Sequence, residues 1–147
     1  MAKNSTGLAP CPLCASDDAH LIIRLPQLRI VFADEADHPC FVRLIWQRHH
    51  TELSQLSAAE RGQLLEAANQ VECSMIAVLK PDKINHASFG NLVAHLHWHI
   101  VPRWQDDPHW PGPVWASRFD DRVKQGAAQR GALAAEIVRR CSLAQSQ

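Results

Sequence analysis

The sequence predicts an α+β domain built on an antiparallel sheet. Short apolar runs with strand character follow one another through turns, not through alternating helices. A single long amphipathic helix interrupts them, and an Ala-rich stretch with helical spacing closes the chain. The 147 residues fit one domain, expected to span 1–147 with a core over about 20–104 and a helical tail over about 120–145.

The strands come first. His20 to Leu25 and Leu28 to Ala33 are apolar runs separated by Pro26 and Gln27, the pattern of a hairpin. After the acidic stretch Asp34 to Pro39, Cys40 to Trp46 is rich in branched and aromatic residues and reads as a third strand. Ser57 and Glu60 then form a capping box that opens a helix over Ala58 to Leu79. Leu64, Ala68, Val71, Met75 and Val78 fall on one stripe of it, and Pro81 stops it at Lys80. Two further strands are expected around Lys83 to Ser88 and His95 to Val101, with Gly90 in the turn between them. A Trp- and Pro-rich connection runs from Pro102 to Pro113. The tail is expected to be mostly helical from about Asp121, with Leu133, Ile137 and Cys141 on one face.

Composition narrows the function classes. Fifteen Lys and Arg balance fifteen Asp and Glu, which argues against binding nucleic acid or anionic membrane through bulk charge. With 46% hydrophobic residues the chain has an ordinary globular composition. No run approaches the roughly 18–20 apolar residues of a membrane span, and Met1 to Pro10 carries no export core. Five cysteines make an odd set, so reduced thiols or metal ligands in a cytoplasmic protein are expected. Nine His beside no Tyr is the unusual figure, and it points to chemistry near neutral pH.

Most of that signal sits in His95, His97 and His99. On a strand, alternate side chains share a face, so three imidazoles face one way while Leu96, Trp98 and Ile100 face the other. A packed strand has no need of three groups that titrate near pH 7 in strict register. One reading makes a histidine a nucleophile toward phosphorus, with its neighbours binding phosphate oxygens and helping the leaving group depart. Another makes the three of them ligands of a catalytic metal. The first and last Cα of such a set lie about 13 Å apart, too far for one ion to hold all three.

From His95 to Val101 the chain resembles the histidine-triad family, whose pattern is three His alternating with apolar residues and followed by two more. The likeness runs over roughly Leu21 to Arg103. Asn85 and Asn91 fall where members carry carboxamides near the nucleotide, and Gln47 to Leu56 is similar to the family's segment before its long helix. Lys80 to Asn85 and Asp106 to Pro111 look like a bacterial branch often labelled diadenosine polyphosphate hydrolase-like. The resemblance implies a five-stranded antiparallel sheet, a homodimer, and hydrolysis or transfer of nucleoside monophosphate groups with no cofactor in the chemical step. It makes His97 the nucleophile toward the α-phosphorus, gives His99 contact with phosphate oxygens and proton transfer, and has His95 support the site. Asp34 is matched to the ribose-binding acidic residue, across a loop that differs by one residue in length. Two departures stand out. Asn91 replaces a common Gln, and Leu92 stands where several members carry Ser or Thr, which removes a hydroxyl near the leaving group.

Cys11 and Cys14 make a CxxC pair. No βαβ pattern follows to suggest redox chemistry. The resemblance offers a structural zinc held by Cys11, Cys14, His49 and His95; the alternative is a reduced pair without metal. Cys73 and Cys141 read as packing residues. His20, His38 and His50 read as surface residues, Trp110 and Trp115 as packing or base-stacking groups, and Arg103 as either near phosphate or solvated. Two rivals to a His97 hydrolase stay open: a nucleotide-binding regulatory module with little turnover, and a metal-dependent hydrolase that uses the triad as ligands.

Overall fold

The computed structural model describes residues 10–16 and 19–146. Residues 1–9, most of the stretch read for an export core, lie outside the described residues. Five strands form one antiparallel sheet: β1 (Leu21–Arg24), β2 (Leu28–Phe32), β3 (Val42–Trp46), β4 (Lys83–Ala87) and β5 (His97–Arg103). Their order across the sheet is β1-β2-β3-β5-β4, so the triad strand lies between β3 and β4.

One face of the sheet carries the hydrophobic core. Alternation along β2 and β3 turns Leu28, Ile30, Val42, Leu44 and Trp46 inward, where they meet Ile100 from β5. Two helices cover this face: α1 (Ala58–Leu79) and α2 (Arg130–Ala144). Helix α1 opens on the expected capping box, with Ser57 Oγ accepting from the Glu60 amide at 3.2 Å and a Glu60 carboxylate oxygen accepting from the Ser57 amide at 2.8 Å. Its stripe of Leu64, Ala68, Val71 and Met75 is buried, with Val78 packed at the margin. Lys80 adopts the left-handed conformation and ends it. No helix among the described residues is long and apolar enough to cross a membrane.

The boundaries of two elements differ from the expectation. The triad strand runs from His97 to Arg103, where the pattern suggested His95 to Val101. At its start the His95 amide donates to the Val93 carbonyl, a local turn, while Leu96 still exchanges hydrogen bonds with His50 and Trp46. At its end Pro102 costs no ladder bond. The Arg103 carbonyl points toward β4, where it accepts from Asp82, so Pro102 points toward β3, which has already ended with Val42 opposite Ile100.

The tail is not helical from about residue 120; the α-helix begins at Arg130. Gly126 interrupts it in a left-handed conformation (φ 85°), and a Cβ there would sit 3.1 Å from Cys40 Sγ. The Cys40 thiol donates to the Gly126 carbonyl at 3.1 Å, which ties this segment to the start of β3. Beyond it Leu133, Ile137 and Cys141 are buried against the core, as their spacing predicted.

Candidate functional site

The other face of the sheet carries the chemistry. Residues directly opposite one another in an antiparallel pair point the same way. The β3–β5 register sets Ile45 opposite His97 and Arg43 opposite His99, so these four side chains share the face away from the helices.

His97 is nearly buried, at 9% exposure. Its Nδ1 bonds the His95 carbonyl, which can only accept, so Nδ1 carries the proton and Nε2 carries the lone pair. Burial holds its pKa below the ordinary imidazole value, against the pull of that hydrogen bond and with help from the Arg43 and His95 charges. His97 is therefore a neutral imidazole with one free basic nitrogen. His99 packs perpendicular to it, ring centroids 4.8 Å apart. Burial, then Arg43 and His97, push its pKa down to about 3, and its buried Nδ1 has no hydrogen-bond partner among the described residues.

Both rings line an open cavity of about 600 Å³. Its walls include Arg43, Glu35, Asn91, Phe89 and Trp115. Trp115 lies 5.3 Å from the His99 ring and 4.7 Å from Phe89, and stays 49% exposed. Of the two Trp alternatives, Trp115 thus sits at the cavity, within reach of a planar group. Trp110 instead packs on the Arg103 guanidinium.

His95 leaves the pair. It precedes the strand, is 1% exposed, and its Nε2 donates to the Trp46 carbonyl at 2.7 Å. That bond leaves a lone pair on Nδ1, which lies 3.4 Å from both Cys11 Sγ and Cys14 Sγ. Cys14 Sγ is also 3.4 Å from His49 Nδ1, and all four ligand atoms lie within 4.8 Å of one another. Zn–S and Zn–N bonds of about 2.3 and 2.0 Å at the tetrahedral angle put S and N about 3.5 Å apart. The four side chains fit a tetrahedral zinc, and the Trp46 carbonyl supplies the outer hydrogen bond that fixes a ligand tautomer. Burial alone would raise the Cys11 thiol, but amide donors at Cys14 and Leu13 bring it below its usual value. Arg29 docks the loop on the sheet by donating to the Leu13 carbonyl at 2.6 Å. Among the described residues, His97 and His99 belong to no such cluster.

The other expected residues are scattered. Asn91 is exposed and lines the cavity. Asp34 is exposed, and its neighbour Glu35 reaches the cavity wall. Asn85, on β4 opposite Val101, accepts from Arg103 Nη1 at 2.8 Å. Arg103 is not solvated and does not line the cavity: it is 1% exposed, grips Asp107 through Nε at 2.6 Å and Nη2 at 3.0 Å, and donates to the Gly112 carbonyl. His38 is not a surface residue. It is 6% exposed and bonded through Nε2 to His109 Nδ1 at 2.8 Å, because the segment after β5 folds back over the Asp34 to Pro39 loop.

Residues 15–106 match the family model described as HIT domain. The chain belongs to the histidine-triad family. Among solved structures it is similar to a histidine triad protein from Bradyrhizobium japonicum (28% identity, 84% of this chain and 90% of that one, TM-score 0.70). It is also similar to one from Marinobacter aquaeolei VT8 (26% identity, 86% and 90%, TM-score 0.69). A Zn-bound histidine triad family protein from Mycobacterium smegmatis shares the fold at 19% identity (91% and 97%, TM-score 0.64). No curated protein matches significantly. HIT membership makes nucleotide binding, with hydrolysis or transfer, the general province of this chain.

Proposed function

We propose that this HIT protein hydrolyses or transfers nucleoside monophosphate groups by attack of His97 on an α-phosphate, with phosphoanhydrides of the dinucleoside polyphosphate kind as substrates. The supporting observation is the tautomer of His97: a buried, neutral ring whose Nδ1–H is spent on a backbone carbonyl, leaving Nε2 for the cavity. A neutral imidazole needs no prior deprotonation, and the resulting phosphorylated imidazolium is a good leaving group for water. His99 contacts phosphate oxygens and assists proton transfer, and Asn91 offers its carboxamide from the cavity wall. Asp34 binds ribose; Asn85, expected near the nucleotide, has its carboxamide oxygen bonded to Arg103 instead.

Cys11, Cys14, His49 and His95 hold a structural zinc. Its place in the reaction is indirect: it fixes His95, whose carbonyl orients His97. A catalytic metal held by the whole triad is disfavoured, because only His95 reaches the ligand cluster. The working form is a cytoplasmic homodimer with nucleotide as its partner.

A panel of dinucleoside polyphosphate, nucleoside phosphoramidate, adenylylated amine and sugar nucleotide tests the reading, with release of nucleoside monophosphate measured. Release from at least the polyphosphate is expected. Tight nucleotide binding with no release from any compound would favour the regulatory module.

A further inference from the structure

Three buried or half-buried guanidiniums point from this face of the sheet. Arg103 is saturated by Asp107, Asn85 and Gly112, and Arg29 is bonded to the Leu13 carbonyl. Arg43 differs. Its Nε is buried and has no hydrogen-bond partner among the described residues. Its guanidinium carbon lies 6.0 Å from the Phe41 ring, and it lines the cavity with His97 and His99. Buried polar atoms as a rule find partners, and this Nε on a half-buried side chain has none among the described residues. Glu35, the one carboxylate on the cavity wall among the described residues, is exposed at the rim and attracts Arg43 across the opening without bonding it.

The position of Arg43 is informative. It stands opposite His99, two residues or about 7 Å along the strand from the register of His97. A leaving group that extends from a phosphorus over His97 toward His99 meets Arg43. Among the described residues no other lysine or arginine lines the cavity, and Leu92, fully exposed on its wall, offers no hydroxyl there. From these placements we infer that Arg43 anchors the leaving group, and that the site is built for leaving groups that carry phosphate in preference to amines.

The inference rests on the His97 reading above. In the step concerned, the Nε2 lone pair forms an N–P bond to the α-phosphorus while the P–O bond to the next phosphate breaks. The electron pair leaves on that oxygen, and the fixed positive charge of Arg43 meets the anion as it develops. Water then attacks the same phosphorus, the N–P bond breaks, nucleoside monophosphate departs and the water's proton passes to solvent. An amine leaving group needs a proton to depart. Arg43 does not supply one at neutral pH, and its charge repels the ammonium formed.

The test compares Arg43→Gln and Arg43→Lys with the parent on two adenylates, diadenosine tetraphosphate and adenosine 5′-phosphoramidate. The expected result is a loss of about 10²–10³ in kcat/KM on the tetraphosphate for Arg43→Gln, at least about tenfold greater than any loss on the phosphoramidate. Lys should recover part of the loss. Titration of inorganic pyrophosphate by calorimetry reads the same anchor without turnover, and Arg43→Gln should bind it at least about tenfold more weakly. Equal losses on both adenylates with unchanged pyrophosphate affinity would overturn the anchor and leave the His97 reading standing. Should the parent cleave neither adenylate, the His97 reading fails, and the pyrophosphate titration alone decides whether Arg43 is an anion site.

Discussion

His95 and His97 stand two residues apart and do different work because different atoms are free. The Trp46 carbonyl takes the Nε2 proton of His95 and turns Nδ1 to the cysteines, while the His95 carbonyl takes the Nδ1 proton of His97 and frees Nε2. The protein should accordingly bind one zinc per chain, and Cys14→Ser should lose it together with several degrees of thermal midpoint. Chelation should leave single-turnover chemistry largely intact; a chemical step abolished by chelation and restored by zinc would make the metal catalytic. At this scale the sequence was legible where residue types are rare. The His triad and the CxxC named themselves, yet alternation alone put three imidazoles on one face and could not show His95 turning away before the strand. Arg43 went unread. Its signal was a lone cation in the apolar run Phe41 to Trp46, and only the register with β5 places it beside His99.

Among the elements, the segment after β5 departs furthest from a simple reading, since a Pro- and Trp-rich stretch has no periodicity to follow. Its anchor is Asp107, 1% exposed, which accepts from Arg103 and from the amides of Trp104, His109 and Trp110. Burial opposes its ionisation, but Arg103 and these amides hold its pKa down to about 2. Asp107→Ala strands a buried guanidinium and should cost about 3–5 kcal/mol in urea unfolding; a loss below about 1 kcal/mol would contradict the anchor.

The same clasp buries His38. Burial lowers its pKa to about 4, with His109 and Arg103 adding to the effect and Asp107 and Asp37 opposing it. An unfolded His binds its proton below about pH 6.5. Between there and pH 4 the unfolded state therefore holds more protons, and stability falls as the pH falls. The full shift of about 2.5 units amounts to roughly 3 kcal/mol. His38→Gln, which keeps a donor toward His109, should flatten that slope in denaturation followed from pH 7 to 4.5; an unchanged slope would place the acid sensitivity elsewhere. The strands and α1 were legible to within two residues, whereas the start of α2 at Arg130 was not. The clasp was not, because its contacts join residues some 70 positions apart in sequence.

For the molecule as a whole, the α+β architecture followed from the order of elements, since strands joined by turns with one long helix between them leave few topologies. The assembly is a matter of surface. Leu65 and Ile76 on α1 are 54% and 51% exposed, and eleven residues of helix put them about 20° apart on one stripe. A dimer through this helix face predicts twice the chain mass at micromolar concentration and a single chain mass for Leu65→Asp with Ile76→Asp. A parent that sediments as a monomer would refute it.

The central claim is that His97 makes the bond to phosphorus. Its test is a single-turnover reaction with diadenosine tetraphosphate, quenched in base and examined for adenylate attached to the protein at His97. The parent should show the adduct. His97→Ala should keep its fold, since Leu96 and Ile100 still anchor the strand from the core side, and lose turnover by several orders of magnitude with no adduct. His99→Ala should lose about two to three orders. A His97→Ala protein that turns over near the parental rate, or an adduct mapped to another residue, would contradict the account.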